Sequence, residues 1–185
     1  MNRDALIQLA LDSGAAKAVI IPQEQIVTSA AFREICAGNG CGMYGKCWMC
    51  PPDAGNIDTL IAEVRKYSHG LWYQTIGNLE DSFDFEGMIE AGRLHVLVSQ
   101  KIQENVKKLL PAGLLHLSCG GCRLCERCAK LDNEPCRMPE KALSSLEAYG
   151  IDVYQTTKDT DLKYINGADT VTYFGIVLFQ EDEHV

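Results

Sequence analysis

The chain has 185 residues, a formal net charge of −8 and a hydrophobic content of 46%. This length suffices for a buried core, so we expect a single domain over residues 1–185. The acidic balance and the lack of a basic run argue against nucleic-acid binding. The sequence contains no run of about 18 apolar residues, so we expect no membrane span. The N-terminal residues show no apolar signal core, which favours a cytoplasmic protein with reduced thiols.

The first predicted elements lead up to a group of cysteines. Apolar spacing predicts a helix over 4–13, and a branched apolar run predicts a buried strand over 17–21. Thr28 or Ser29 would cap a short helix that runs through Phe32 and leads into Cys36. We therefore expect the first cysteine group to follow directly on an element of the core.

The first cysteine group occupies residues 36–53 and is interspersed with four glycines. Glycine can take a positive φ and lets backbone N–H groups approach the sulfurs of a metal cluster. The spacing is Cys36-x4-Cys41-x5-Cys47-x2-Cys50. The sequence therefore predicts a metal-binding loop with up to four thiolate ligands.

The middle of the chain contains none of the nine cysteines. We expect a helix over 56–67 with Asn56 as its cap, a strand over 70–76 and a polar loop over 78–84. A long helix is predicted over 86–110, ended by Pro111. A short strand over 114–118 then leads into Cys119.

The second cysteine group occupies residues 119–139 and has the regular pattern Cys119-x2-Cys122-x2-Cys125-x2-Cys128, followed by Pro135-Cys136. A C-x2-C-x2-C run with a later cysteine beside a proline is a recurrent way to hold an iron–sulfur cluster. Buried structural cysteines are rarely so concentrated, which favours metal binding over core packing.

The C-terminal part completes a predicted fold of helices and strands. We expect a helix from Pro139 to Tyr149 with Gly150 as its stop, followed by strands over 151–155 and 170–179. Strands separated by helices predict an α/β or α+β sandwich with a mixed sheet of about five strands. The two cysteine-rich loops would be metal-binding insertions on the same side of this body.

Zinc is the alternative to iron and sulfide, because four thiolates also form a tetrahedral zinc site. Zinc ribbons usually pair two C-x2-C knuckles across a hairpin, whereas a C-x2-C-x2-C run suits the corners of a cluster. The four histidines form no His-x3-His pair, and His95 fits a core or boundary position better than a ligand position. The pattern favours [4Fe–4S] clusters, two of them by the cysteine count.

The chain resembles a family of small prokaryotic proteins of unknown function, described only as predicted metal-binding proteins and common in anaerobic bacteria and methanogenic archaea. The resemblance extends from about Cys36 to the C-terminal strand. It rests on three motifs: Cys36-x4-Cys41-x2-Tyr44-Gly45-Lys46 with Cys50-Pro51-Pro52; Gly121-Cys122-Arg123-Leu124-Cys125-x2-Cys128 with Pro135-Cys136-Arg137-x-Pro139; and Glu147-Ala148-Tyr149-Gly150-Ile151-Asp152-Val153.

The resemblance implies a cysteine-bound metal centre and sorts the thiols. Two sets match the family's motifs: Cys36, Cys41 and Cys50, and then Cys122, Cys125, Cys128 and Cys136. Cys119 is then the candidate for a spare thiol. Cys47 either completes the first site or leaves it with three cysteines and one open iron.

Two functions of different class follow from these ligands. With two [4Fe–4S] clusters the protein would act in electron transfer or redox chemistry, with a partner that the sequence does not identify. With an open iron it would be an enzyme that uses this iron as a Lewis acid or sulfur acceptor. A zinc-binding structural or interaction module is the third alternative.

Overall fold

A mixed five-stranded sheet forms the centre of the fold in the computed structural model, which describes residues 2–110 and 113–181. Its order is β1-β2-β5-β3-β4, with antiparallel pairing throughout except for the parallel pair β3 and β4. The expected mixed sheet of about five strands is confirmed. The strands are β1 (Lys17–Pro22), β2 (His69–Asn78), β3 (Leu115–Ser118), β4 (Ser144–Ser145) and β5 (Thr170–Phe179).

Five helices accompany the sheet, and four of them begin at a polar side chain that accepts a hydrogen bond from a first-turn N–H. Such caps satisfy donors that the helix itself leaves free. Among the described residues, no helix is long and apolar enough to cross a membrane. The helices are α1 (Arg3–Asp12), α2 (Phe32–Ala37), α3 (Ile57–Val64), α4 (Phe85–Leu109) and α5 (Val153–Lys158).

Side chains along β2 and β5 lie alternately on the two faces of the sheet, which divides the core into two layers. Leu71 and Tyr73 of β2 pack with α1 and α4 on one face, whereas Trp72 packs with α3 on the other. All three side chains are fully buried. Because each such side chain contributes roughly 1.5–3 kcal/mol on burial, both faces stabilise the sheet that carries the cysteine loops.

The predicted helix from Pro139 to Tyr149 is wrong. Ser144 and Ser145 instead form β4, which pairs in parallel with Leu117 and Ser118, and a 3-10 turn follows over Glu147–Tyr149. Pairing at the sheet edge overrides the weak helical tendency of this short segment. Gly150 does end the turn, with a left-handed φ of 74°.

The predicted strand over 151–155 is also wrong. Ile151 forms only an isolated bridge with Thr28, and α5 begins at Val153. The Asp152 carboxylate accepts a hydrogen bond of 2.9 Å from the Gln155 N–H, so it is the cap that starts this helix.

Other predicted helices are present, but they begin or end at different residues than expected. The short second helix begins at Phe32 rather than ending there, so Cys36 lies within α2 and not after it. The helix predicted over 56–67 ends at Val64, and the cap at Asn56 is confirmed. Pro111, expected to end the long helix, lies outside the described residues.

Candidate metal centre

Both cysteine loops meet beside the end of the sheet where β3 and β4 lie together. The Leu146 N–H donates to the Ser118 carbonyl at 2.9 Å, which holds the chain after β4 against the start of the second loop. A Cβ on Gly121 would lie 2.9 Å from Met43 Cγ and 3.2 Å from Cys50 Sγ. The loops are therefore in direct contact, and their predicted location on one side of the body is confirmed.

The first thiol pocket is a cavity of about 280 Å³ that the three cysteines Cys36, Cys41 and Cys50 line together. Tyr44 and Glu147 also line it. Cys36 comes from α2, Cys50 follows from the same loop, and Glu147 comes from the 3-10 turn after β4. This pocket therefore joins the first cysteine loop to the sheet edge, and it has room for a ligand beyond its own side chains.

The second thiol pocket brings together five cysteines: Cys47, Cys122, Cys125, Cys128 and Cys136. Its free volume is about 20 Å³, which is roughly the space of one water molecule. This free volume is smaller than an iron–sulfur cluster, so the lining thiols would have to separate to hold one. All four predicted ligands of the second group line this one pocket.

Cys47 lies at the junction of the two pockets and is 1% exposed. Hydrogen bonds from the Cys122 and Cys50 thiols stabilise its thiolate and lower its pKa. The same hydrogen bonds, followed by burial, raise the pKa of Cys50 and of Cys122. The structure therefore brings Cys47 to the second group, while Cys36 and Cys41 remain in the first pocket.

Polar contacts tie the two loops together around the second thiol pocket. Lys130 forms an ion pair with Asp53, and its Nζ lies 4.4 Å from the centre of the Trp48 ring. The Trp48 indole N–H donates to the Glu134 carbonyl at 2.8 Å. Arg137, which lines the pocket, donates to the Arg127 carbonyl at 3.1 Å. Arg137 is thus the basic side chain that lines this pocket, and Lys130 near it is paired with Asp53.

The first thiol pocket has the opposite electrostatic character. Within the described part of the chain, no lysine, arginine or histidine lines it, and Glu147 contributes a carboxyl group. Burial raises the pKa of Glu147. Burial and then the charge of Glu147 raise the pKa of Cys36. The nearby Arg33 guanidinium donates to the Gly55 carbonyl at 2.8 Å, outside the pocket.

Cys119 lines neither thiol pocket. It borders a separate small cavity with Ser99, Ser118 and Cys122, and burial raises its pKa to about 12. The location agrees with its assignment from the resemblance as a spare thiol.

The histidines of the core lie apart from both pockets. His95 Nδ1 is 2.8 Å from Thr75 Oγ1, and burial lowers the pKa of His95 to about 4. His116 Nε2 is 2.8 Å from the Tyr73 hydroxyl, and burial lowers its pKa to about 3. The prediction that His95 is a core histidine is confirmed, whereas His184 lies outside the described residues.

The donor chemistry fits a soft metal centre. In residues 2–110 and 113–181, no three His, Cys, Asp or Glu side chains converge closely enough for one metal ion. The thiols instead line two cavities, and all nine cysteines are free. Thiolates favour zinc, copper(I) and iron–sulfur clusters over hard cations. The residues of both pockets therefore fit such a group, with Cys36, Cys41 and Cys50 in one and the second set in the other.

Glu147 is the pocket residue that the cysteine pattern did not reveal. Its signal in the sequence was its position at the start of the third motif, Glu147 to Val153, which carries no cysteine. The assignment of a helix to this segment hid the turn that brings Glu147 to the pocket.

Comparison with known proteins gives one match. The model of a family described as "Predicted metal-binding protein (DUF2284)" matches residues 19–179. No curated protein and no solved structure matches the chain. The matched range includes both thiol pockets and all five strands except the first two residues of β1.

Proposed function

We propose that this chain, which belongs to the DUF2284 family of predicted metal-binding proteins, is an iron–sulfur protein with two adjoining redox centres. The observation that carries the proposal is the gathering of eight cysteines into two pockets that touch through Cys47, Cys50 and Cys122. Bound [4Fe–4S] clusters supply one-electron chemistry over a wide range of potentials. Centres this close are suited to direct electron exchange.

The second thiol pocket is the proposed electron-transfer centre. Cys122, Cys125 and Cys128 supply the C-x2-C-x2-C set. Cys136 is the proposed fourth ligand, and the buried Cys47 supports the site by hydrogen bonding or replaces Cys136. A cluster held by four thiolates is an anion that becomes more negative on reduction, so the positive charge of Arg137 in the pocket wall favours its reduced form.

The first thiol pocket supports a second candidate function, that of an enzyme with an open iron. Because Cys47 lies with the second group, only Cys36, Cys41 and Cys50 remain for a centre here. A four-iron cluster with three cysteines leaves one iron without a thiolate. The cavity of about 280 Å³ gives a small substrate access to that position. Such an iron is a Lewis acid or an acceptor for sulfur.

An open groove beside the second pocket is the proposed docking surface for an acidic electron-transfer protein. The groove has a volume of about 790 Å³, and its walls come from α4 and from both cysteine loops. Ile89 and Leu97 line it and are 49% and 59% exposed. Lys46 and Arg123 also line it and, within the described residues, form no ion pair with a carboxylate. On a chain of charge −8, this local positive surface attracts an acidic partner.

Electron-transfer rates test this surface. We expect reduction by an acidic electron-transfer protein to slow with rising salt, and the variant Lys46→Glu to slow it further. Reduction by a neutral small molecule should change little. Equal salt dependence for both reductants would exclude the groove as an electrostatic docking surface.

The location of the protein is proposed from its thiols. Iron–sulfur ligands must stay reduced, and all nine cysteines are free in the structure. A cytoplasmic compartment keeps thiols in this state. Disulfides formed by these cysteines in cells grown without oxygen would argue against it.

Metal analysis of anaerobically purified and reconstituted protein tests the proposed function. We expect brown protein with about eight iron and eight sulfide per chain, from two clusters of four irons each. Reconstitution controls for loss of iron during purification. Colourless protein that holds stoichiometric zinc after this treatment would contradict the proposal and leave a structural zinc module.

A further inference from the structure

We propose that Glu147 is the fourth protein ligand of the first thiol pocket, so that its carboxylate binds the iron for which this pocket has no cysteine. The inference rests on the proposed iron–sulfur function and deepens it. It converts an open three-cysteine site into a site with three thiolates and one exchangeable carboxylate.

The position of Glu147 is fixed by the sheet edge. Ser145 pairs with Ser118 in β4, and Ser145 Oγ accepts a hydrogen bond of 3.1 Å from the Ala148 N–H. The Gly150 N–H donates to the Glu147 carbonyl at 2.9 Å and closes the turn. Helix α2, which carries Cys36, packs against this same turn. The backbone therefore holds the carboxylate in the cavity of the three thiols.

The charges of the pocket favour a bound cation. Three thiols and a carboxyl group line one pocket, in which Cys50 is buried, Cys36 and Glu147 are half-buried and Cys41 is exposed, and no basic side chain of the described residues lines it. Ionised groups of one sign that are buried together are costly unless a cation or a metal compensates them. Arg137 lines the second pocket, whereas the guanidinium nearest to the first, that of Arg33, stays outside the pocket and donates to the Gly55 carbonyl, so that a bound metal centre would add the positive charge that the lining lacks.

Ligand number leads to the same assignment. Cys47, which lies between Cys41 and Cys50 in the sequence, lines the second pocket with Cys122 and does not line the first. Glu147 and Tyr44 are the remaining side chains of the first pocket with an oxygen that can ionise. A carboxylate ionises at far lower pH than a phenol, so Glu147 is the better anionic ligand. It is also a weaker ligand than thiolate for iron in a cluster, which leaves the position open to a stronger donor.

Mössbauer spectroscopy and iron analysis of ⁵⁷Fe-reconstituted protein test the assignment. We expect wild type to show one iron subsite distinct from the all-thiolate sites. Glu147→Gln should lose this subsite and hold about one iron fewer per chain, with the magnetic resonance signal of a three-iron cluster after mild oxidation. Glu147→Cys should keep the iron but convert the distinct subsite into an ordinary thiolate-bound one.

Glu126→Gln is the matched control, because Glu126 is an exposed glutamate beside the cysteines of the other pocket. It should keep the wild-type spectrum. A Glu147→Gln protein with full iron and an unchanged distinct subsite would overturn the inference, as would wild-type clusters with no distinct subsite. Wild-type protein that assembles no cluster at all would instead overturn the proposed function. Glu147→Cys shows in the same series whether a change at this position still permits folding and cluster assembly.

Discussion

The two thiol pockets use the same residue type in opposite surroundings. The first contains three thiols and a carboxyl group in about 280 Å³. The second is lined by five thiols, has a free volume of about 20 Å³, and has Arg137 in its wall. A spacious pocket without positive groups suits a metal with an exchangeable position. A closed pocket with a positive side chain in its wall suits a centre that stores an electron. The surroundings of the ligands, more than their number, therefore separate the two roles.

The largest effects are expected from removing one ligand in each pocket. Cys125→Ser should lose the second centre and about half of the iron, and Cys36→Ser should remove the first centre to a similar extent. Iron and sulfide analysis of anaerobic protein measures both losses. If either variant lost all of its iron while its circular dichroism stayed native, the two pockets would not be separate centres.

Cys47→Ser tests how the structure divides the thiols between the pockets. Because the Cys47 thiolate accepts hydrogen bonds from Cys50 and Cys122, we expect a shifted potential or loss of the second centre. The first centre should keep its distinct iron subsite, as seen by Mössbauer spectroscopy. Loss of the first centre alone would show that Cys47 belongs to the first cysteine group, as its place in the sequence predicted.

Part of this site could be predicted from the sequence. The C-x2-C-x2-C spacing indicated the second pocket, because ligands so close in sequence must lie close in space. Cys47 has no such signal, since the cysteines before and after it in the chain, Cys41 and Cys50, line the other pocket. Its place depends on the contact of two loops, in which Gly121 allows Cys50 to approach.

The fold, like the site, could be predicted from the sequence only in part. The long helix α4 and the strand β5 have periodic or continuous apolar patterns, and both were predicted. The strand β4 has two residues and exists only because β3 lies beside it. Such an element has no local pattern of its own, so the segment from Pro139 was predicted to be a helix. The error concealed the turn that carries Glu147.

A smaller effect is expected from the charge around the second pocket. Arg137→Gln removes a positive group beside the centre, so the reduced, more negative form should be less stable. The potential of the second centre should fall by roughly tens of millivolts, because the exposed side chain is partly screened. Protein-film voltammetry measures this shift. Arg65→Gln is the control, since Arg65 lines neither thiol pocket, and an equal shift there would remove the local explanation.

The smallest effect is expected for Cys119→Ser. Cys119 borders a separate cavity and lines neither thiol pocket. Iron content and both spectra should match those of wild type. An iron loss as severe as that of Cys125→Ser would place Cys119 among the ligands and would leave Cys136 free.

Electron paramagnetic resonance of the fully reduced protein tests most directly whether two iron–sulfur centres adjoin. Contact of the pockets through Cys47, Cys50 and Cys122 predicts spectra broadened or split by the interaction of two nearby spins. Cys125→Ser should abolish this interaction and leave the simple spectrum of the first centre. A wild-type spectrum that is the plain sum of two isolated clusters, or that shows a single cluster, would contradict the account.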